Sequence, residues 1–153
     1  MRTLYFDIDG TLLILDTEEP KSALAQGRFE QAVRLAGFEK LVCIGNFVGV
    51  VHTVQRSLPL YDGLGVLFAL CAGVFEDEDW FRMQVELVSD PEHRATSVDL
   101  TTDWWYLDDL AESYFRSAER CDVFRAEKGH RILVPSPLGD GSDVLHWLAS
   151  IKR

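Results

Sequence analysis

The segment Leu4-Tyr5-Phe6-Asp7-Ile8-Asp9-Gly10-Thr11-Leu12 decides which fold the chain is predicted to adopt. Leu4 to Ile8 is short, mainly apolar and rich in aromatic and branched side chains, a pattern typical of a buried strand. Asp9-Gly10-Thr11 is a turn signal. Leu12 to Leu15 is predicted to continue as a second extended piece, before a loop from Asp16 to Pro20. The chain is therefore expected to open with a buried strand that ends at acidic residues.

Strands and helices alternate along the rest of the chain. The predicted strands are Leu41 to Ile44, Val98 to Leu100, Trp104 to Leu107 and Arg131 to Val134. The predicted helices are Ser22 to Gly37, Phe47 to Gln55 (where branched residues also permit a strand), Leu64 to Phe75, Glu76 to about Val88, Leu110 to Ala118, and a last helix capped by Ser142. Short buried strands separated by helices indicate an α/β fold whose mainly parallel sheet is covered on both faces. Residues 1–153 are expected to form a single domain.

Composition narrows the classes of partner. The chain has 153 residues, of which 47% are hydrophobic, and its formal net charge is −10. This charge disfavours binding to nucleic acids and to anionic membranes, although a divalent cation would let an acidic site handle phosphate. Cys43, Cys71 and Cys121 are widely spaced and odd in number, which argues against a disulfide framework or a thiolate zinc site and favours a cytoplasmic protein.

Polar residues follow three of the predicted strands. Asp7 and Asp9 end the first strand, Gly45-Asn46 ends the second, and Asp108-Asp109 ends the strand that begins at Trp104. Ligands of doubly wound sheets bind at the carboxyl ends of the strands, so these carboxylates are expected to gather there. Like charges in close contact oppose joint ionisation, and Mg²⁺ with its preference for oxygen ligands resolves that conflict. Asp7 could then attack while Asp9 donates a proton to the leaving group.

Two segments resemble a known family. The opening segment Leu4 to Leu12 is similar to the first motif of the haloacid-dehalogenase superfamily in its phosphatase form, and Tyr106-Leu107-Asp108-Asp109 resembles the fourth motif in its double-aspartate variant. The resemblance implies a three-layer, Rossmann-like fold, a Mg²⁺ cofactor and Asp7 as the nucleophile that forms an aspartyl-phosphate. It also implies that Asp9 is the general acid and base and binds the metal through its backbone carbonyl, while Asp109 is a direct carboxylate ligand supported by Asp108.

The chain departs from the second and third motifs of that family. The second motif ends its strand with Ser or Thr, whereas Gly45-Asn46 stands here; backbone N–H groups with the Asn46 amide could substitute, Thr53 could be the counterpart, or the pair could be an ordinary turn. Gly10 and Thr11 are further candidates for substrate binding. The third motif supplies a catalytic Lys or Arg that neutralises the nucleophile and the phosphate. Arg94 is preferred for this role over Arg82 and Lys128, although a surface role for Arg94 is equally compatible with the sequence.

The function predicted from these features is a Mg²⁺-dependent phosphomonoester hydrolase, acting on a phosphorylated substrate of unspecified size. The alternative is a catalytically degenerate member of the same fold with a binding or regulatory role, and a receiver domain ranks below both. The stretch between Thr11 and Leu41 is too short for a separate cap domain. The site is therefore expected to be open, or covered by residues 64–88 or by a neighbouring subunit of a homo-oligomer.

Overall fold

The central sheet is built from five parallel strands. The computed structural model describes residues 1–14, 17 and 19–151. The strands are β1 (Arg2–Phe6), β2 (Lys40–Cys43), β3 (Val85–Leu87), β4 (Asp103–Leu107) and β5 (Ile132–Leu133), and they lie in the order β3-β2-β1-β4-β5. This order is typical of doubly wound α/β folds, in which the chain leaves the sheet centre first in one direction and then in the other. The predicted α/β class with a parallel sheet is confirmed.

Helices flank the sheet, because its strands are apolar on both faces. The helices are α1 (Arg28–Leu35), α2 (Asn46–Ser57), α3 (Gly63–Leu70), α4 (Glu78–Gln84), α5 (Ala111–Ser117), α6 (Cys121–Glu127) and α7 (Ser142–Ser150), together with 3-10 helices at Ser22–Leu24 and Pro91–Ser97. Side chains alternate along a strand. Trp104 accordingly contacts Phe115 of α5, while Trp105 contacts Trp147 of α7. Among the described residues, no helix is both long and apolar enough to cross a membrane.

The helix predicted from Ser22 to Gly37 is interrupted. A 3-10 turn covers Ser22–Leu24, and α1 begins only after Gln26 and Gly27, whose φ angles of 59° and 71° are incompatible with a continuous helix. Gly37 has φ 80° and follows the end of α1, in agreement with its predicted role. Leu15, Asp16 and Glu18, which belong to the predicted extended piece and loop, lie outside the described residues.

Three further predictions of secondary structure are corrected by the structure. The helix predicted to run to about Val88 ends at Gln84, since Val85–Leu87 forms the edge strand β3 beside β2. Val98 to Leu100 is not a strand, because Val98 directly follows the 3-10 helix Pro91–Ser97 and Asp99 begins a turn in which its carbonyl accepts from the Thr102 N–H. The last helix is present as predicted, but Ser142 is its first residue and Gly141 is its N-cap; the Asp140 carboxylate accepts a hydrogen bond from the Ser142 N–H at 2.9 Å.

Candidate metal centre

Three of the predicted carboxylates meet at the carboxyl edge of the sheet. Phe6 of β1 is paired with Leu107 of β4, so the residues that follow these strands, Asp7 and Asp108, are neighbours. One carboxylate oxygen each from Asp7, Asp108 and Asp109 lies within 4.8 Å of the other two. Asp7 and Asp108 are buried and Asp109 is half-buried. The parallel pairing of β1 with β4 therefore creates the acidic cluster.

Asp9 has a different position from the other three aspartates. It is half-buried and does not belong to the group of three carboxylates, and its backbone pairs with Leu13 in the turn after β1. The chain has left the strand by this point, since Gly10 has φ 74° and the Thr11 N–H donates to the Ile8 carbonyl. The role in proton transfer and the backbone metal contact implied for Asp9 stay predictions.

Thr11 links the first acidic segment to the second. Its buried hydroxyl oxygen accepts a hydrogen bond from the Asp109 backbone N–H at 3.1 Å. The same oxygen lies 3.3 Å from a carboxylate oxygen of Asp7 and 3.3 Å from one of Asp109, and its single hydrogen can be donated to one of them at a time. The backbone N–H of Gly10 is engaged by the Leu13 carbonyl. The Thr11 hydroxyl is thus placed to position the carboxylates of Asp7 and Asp109, while Gly10 belongs to the turn after β1.

Arg94 is the cation that reaches the cluster. Its Nη1 donates to both carboxylate oxygens of Asp108, at 3.1 and 3.3 Å, and lies 3.5 Å from Asp7 Oδ1. The side chain is 2% exposed, which rules out the surface role. Its guanidinium carbon lies 4.0 Å from the centre of the Tyr114 ring, and its buried Nε has no hydrogen-bond partner among residues 1–14, 17 and 19–151.

The other cations considered for this position lie elsewhere. Arg82 is exposed and pairs with Asp62 and Glu78. Lys128 is also exposed, and its ammonium lies above the ring of Phe124 at 5.8 Å from the ring centre. Within the described part of the chain, neither forms a hydrogen bond or an ion pair with the three carboxylates. Arg94 is thus the preferred residue on geometric grounds as well.

Gly45 brings the backbone against Asp7. Its φ is 104°, and a Cβ atom at this position would overlap Asp7 Oδ1. Asn46 begins α2, and its side-chain oxygen accepts from Arg94 Nη2 at 3.4 Å. Thr53 lies on the exposed surface of α2 and donates to the Gly49 carbonyl at 2.9 Å. Gly45-Asn46 is therefore part of the site rather than an ordinary turn, and Thr53 is not brought to it.

Burial governs the charge state of the cluster. Burial, followed by the charges of Asp108 and Asp109, raises the pKa of Asp7 well above its ordinary value, although Arg94 opposes the shift. Burial also raises the pKa of Asp108, against the stabilising charge of Arg94. For Arg94, burial lowers the pKa, but Asp7 and Asp108 outweigh it and raise the pKa overall. Without a metal ion the cluster consequently favours bound protons over full ionisation.

Two tyrosines were missed by sequence reasoning. The Tyr106 hydroxyl donates to Asp108 Oδ2 at 3.0 Å, and burial raises the pKa of Tyr106 well above its usual value, so the phenol stays a donor. Tyr106 precedes Asp108 by two residues, and this spacing on a strand places both on one face, which is a signal that could have revealed the contact. Tyr114 meets Arg94 only through the packing of α5 on the 3-10 helix Pro91–Ser97.

The donor set suits a hard divalent cation. Carboxylate oxygens within reach of one another, with a backbone turn beside them, are the ligands that Mg²⁺ prefers, and a bound cation would replace the protons of Asp7 and Asp108. Comparisons with protein-family models, curated proteins and solved structures find no match to this chain. Any functional conclusion therefore depends on these residues and their geometry.

Proposed function

We propose that the protein is a Mg²⁺-dependent phosphomonoester hydrolase in which Asp7 is the nucleophile. The observation that carries the proposal is the group of Asp7, Asp108 and Asp109, of which the first two are buried. One carboxylate oxygen of each lies within 4.8 Å of the other two, and Arg94 contacts Asp7 and Asp108. A purely structural ion pair would not need three carboxylates for one cation. Such an excess of buried negative charge is typical of a site that binds a metal ion.

The residues that would hold Mg²⁺ are Asp7, Asp108 and Asp109, joined by the Asp9 carbonyl that the family resemblance implies. The bound cation would neutralise the carboxylates and the phosphoryl oxygens, so that Asp7 could be both ionised and close to an anionic substrate. Arg94 would hold Asp7 and Asp108 in place. Its Nε, which has no hydrogen-bond partner among the described residues, would be a further N–H donor for a phosphoryl oxygen.

The proposed reaction has two steps. A carboxylate oxygen of Asp7 attacks phosphorus and the ester P–O bond breaks, while Asp9 gives a proton to the departing alkoxide or phenoxide. The product of this step is an aspartyl-phosphate on Asp7. Asp9, now ionised, takes a proton from water as the water oxygen attacks phosphorus, which releases inorganic phosphate and restores Asp7.

A non-catalytic binding role is the second candidate, and the geometry at Gly45 favours it. The family resemblance expects a hydroxyl at the end of β2, but the structure has no space for any side chain between Gly45 and Asp7. The phosphoryl group would then depend on backbone N–H groups at the start of α2 and on Asn46. A site with weaker phosphate contacts can bind a metal ion or a phosphorylated ligand without hydrolysing the ligand.

The test is hydrolysis of 4-nitrophenyl phosphate by the wild type and by Asp7→Asn, each with magnesium and with a chelator. Asp79→Asn, an exposed aspartate in the first turn of α4, is the matched control. We expect turnover by the wild type and by the control that needs magnesium, and none by Asp7→Asn. Turnover by Asp7→Asn would refute the nucleophile assignment. Magnesium binding without turnover by the wild type would support the binding role.

A further inference from the structure

One surface cavity borders the acidic cluster directly. It has a volume of about 310 Å³ and lies between α5, α6 and the chain after β5, with Asp109, Phe124 and Val134 among its lining residues. We refer to it as the Asp109 cavity. Phe124 is buried, and it gives the cavity an apolar side. Because Asp109 also belongs to the carboxylate cluster, the cavity opens next to the place where the phosphoryl group would react.

Two cations line the Asp109 cavity. Lys128 is exposed and forms no ion pair within the described part of the chain; its ammonium contacts only the face of Phe124, at 5.8 Å from the ring centre. Arg116 pairs with Glu112 at 3.5 Å, but both side chains are about two-thirds exposed, at 67% and 66%, and exposed pairs of this kind contribute little. Lys128 therefore offers an ammonium without an ion pair, among the described residues, in a cavity that Asp109 also lines.

The neighbouring surface strengthens the positive potential. Arg125, with Arg116 and Phe124, lines an adjoining cavity of about 280 Å³. Glu112 lines both cavities and Asp109 lines the first, so two carboxylates would oppose an anion there; Glu112 already pairs with Arg116, and Asp109 belongs to the group of three carboxylates. Cations grouped at the mouth of a concave site attract ligands of opposite charge. Lys128 is the cation best placed to pair with such a ligand, because it has no carboxylate of its own.

We infer that the Asp109 cavity binds the leaving-group part of a small phosphorylated substrate, and that this part carries a second anionic group, a carboxylate or a phosphate, which pairs with Lys128 and Arg116. The inference rests on the proposed phosphatase function and adds the class of substrate. Phe124 contacts the carbon portion between the two anionic groups. Lys128 and Arg116 then select substrates by binding, while the chemistry stays with Asp7 and Asp9.

The experiment compares 4-carboxyphenyl phosphate with 4-carbamoylphenyl phosphate, which differ in charge but hardly in shape. The quantity measured is the ratio of kcat/KM for the carboxylated ester to that for the amide, from release of inorganic phosphate. We expect the wild type to prefer the carboxylated ester through a lower KM. Lys128→Gln should lower the ratio by about fivefold, the effect of one partly exposed charge pair.

Lys40→Gln is the matched control, since Lys40 lies on β2 and pairs with Glu86 away from the cavity. It should keep the wild-type ratio. A wild-type ratio near one, an unchanged ratio in Lys128→Gln, or an equal fall in Lys40→Gln would each overturn the inference.

Failure of the proposed function would be recognised separately. If the wild type hydrolyses neither ester, calorimetric titration of both esters with magnesium present replaces the kinetic ratio. Tighter binding of the carboxylated ester that is lost in Lys128→Gln would still support the assignment of the Asp109 cavity. Equal binding of the two esters, or no binding of either, would overturn it.

Discussion

Replacing Asp7 with Asn should stabilise the metal-free protein, although it removes the proposed nucleophile. The substitution keeps the shape of the side chain and removes one charge from a buried group of three carboxylates. Burial and the charges of Asp108 and Asp109 raise the pKa of Asp7, so its ionised form is the unfavourable one in the folded state. Asn resembles the neutral form, and the folded state of the variant avoids that cost at every pH.

The expected gain in the free energy of unfolding follows from the distances between Asp7 and its charged neighbours. With an effective dielectric constant of about 20, the repulsion between Asp7 and one other ionised carboxylate at the outer limit of 4.8 Å costs about 3.5 kcal/mol, and the attraction to Arg94 at 3.5 Å contributes about 5 kcal/mol. The repulsion from two carboxylates exceeds this attraction by about 2 kcal/mol, before the benefit of avoiding desolvation is added. A gain of about 2 kcal/mol in the free energy of unfolding corresponds to a rise in Tm of about 4–8 °C for a chain of this length.

The gain should depend on pH in a defined direction. An unfolded aspartate has a pKa of about 3.9, whereas the folded-state pKa of Asp7 is raised, so the folded state holds the proton more tightly. The contribution of Asp7 to the wild-type free energy of unfolding is therefore fully present below the pKa of the unfolded state. It is lost as the pH rises through the pKa of the folded state. The difference between Asp7→Asn and wild type should therefore be small near about pH 4 and largest near about pH 8.

Urea unfolding with a chelator present, at several pH values, measures this difference. Asp79→Asn serves as the control and should lose up to about 0.5 kcal/mol, because it removes an acidic residue from the first turn of α4. Saturating magnesium should stabilise the wild type more than the variant and reduce the difference between them. The electrostatic account is wrong if Asp7→Asn is less stable than wild type at about pH 8 in chelator, or if the difference does not change with pH.

Three further substitutions probe the surroundings of Asp7. Arg94→Gln should destabilise the protein by about 3–5 kcal/mol in urea unfolding, because it leaves buried carboxylates unpaired; the loss should be smaller in the Asp7→Asn background, and equal losses would show that Arg94 does not act through Asp7. Gly45→Ala should lower Tm by an amount equivalent to about 2 kcal/mol or more, since its φ is 104° and the added Cβ overlaps the Asp7 carboxylate; wild-type stability and turnover would contradict the close approach. Tyr106→Phe removes the hydrogen bond to Asp108 and should lower the free energy of unfolding in urea by about 1–2 kcal/mol. An unchanged free energy of unfolding would show that the phenol does not stabilise the fold through this bond.

The local pattern of the sequence was sufficient to predict the frame of the site. Asp7 and Asp108 directly follow apolar strands, and parallel strands that share a sheet present their carboxyl ends at one edge. That reasoning predicted the strands β1, β2 and β4 and the meeting of Asp7 with Asp108 and Asp109 without any knowledge of contacts. It succeeded because a buried strand is encoded by a short run of neighbouring residues.

Other features depended on residues that are distant in the sequence. Arg94 could be a surface residue or a site residue by sequence, and only the packing of its 3-10 helix against α2 and α5 buries it beside Asp7. Val85–Leu87 is an edge strand because β2 offers it a partner, although the preceding residues are helical.

The sequence by itself determined the class of fold and the aspartates that follow the strands at its centre. Both could be predicted because a short apolar run identifies a buried strand, and the residues that directly follow it lie at the edge of the sheet. Only the tertiary structure decided which cation neutralises the carboxylates, why position 45 must be glycine, and that Lys128 lies at a cavity beside Asp109 rather than in the cluster. These features are set by distances between segments that are far apart in the chain, and a one-dimensional pattern does not contain such distances.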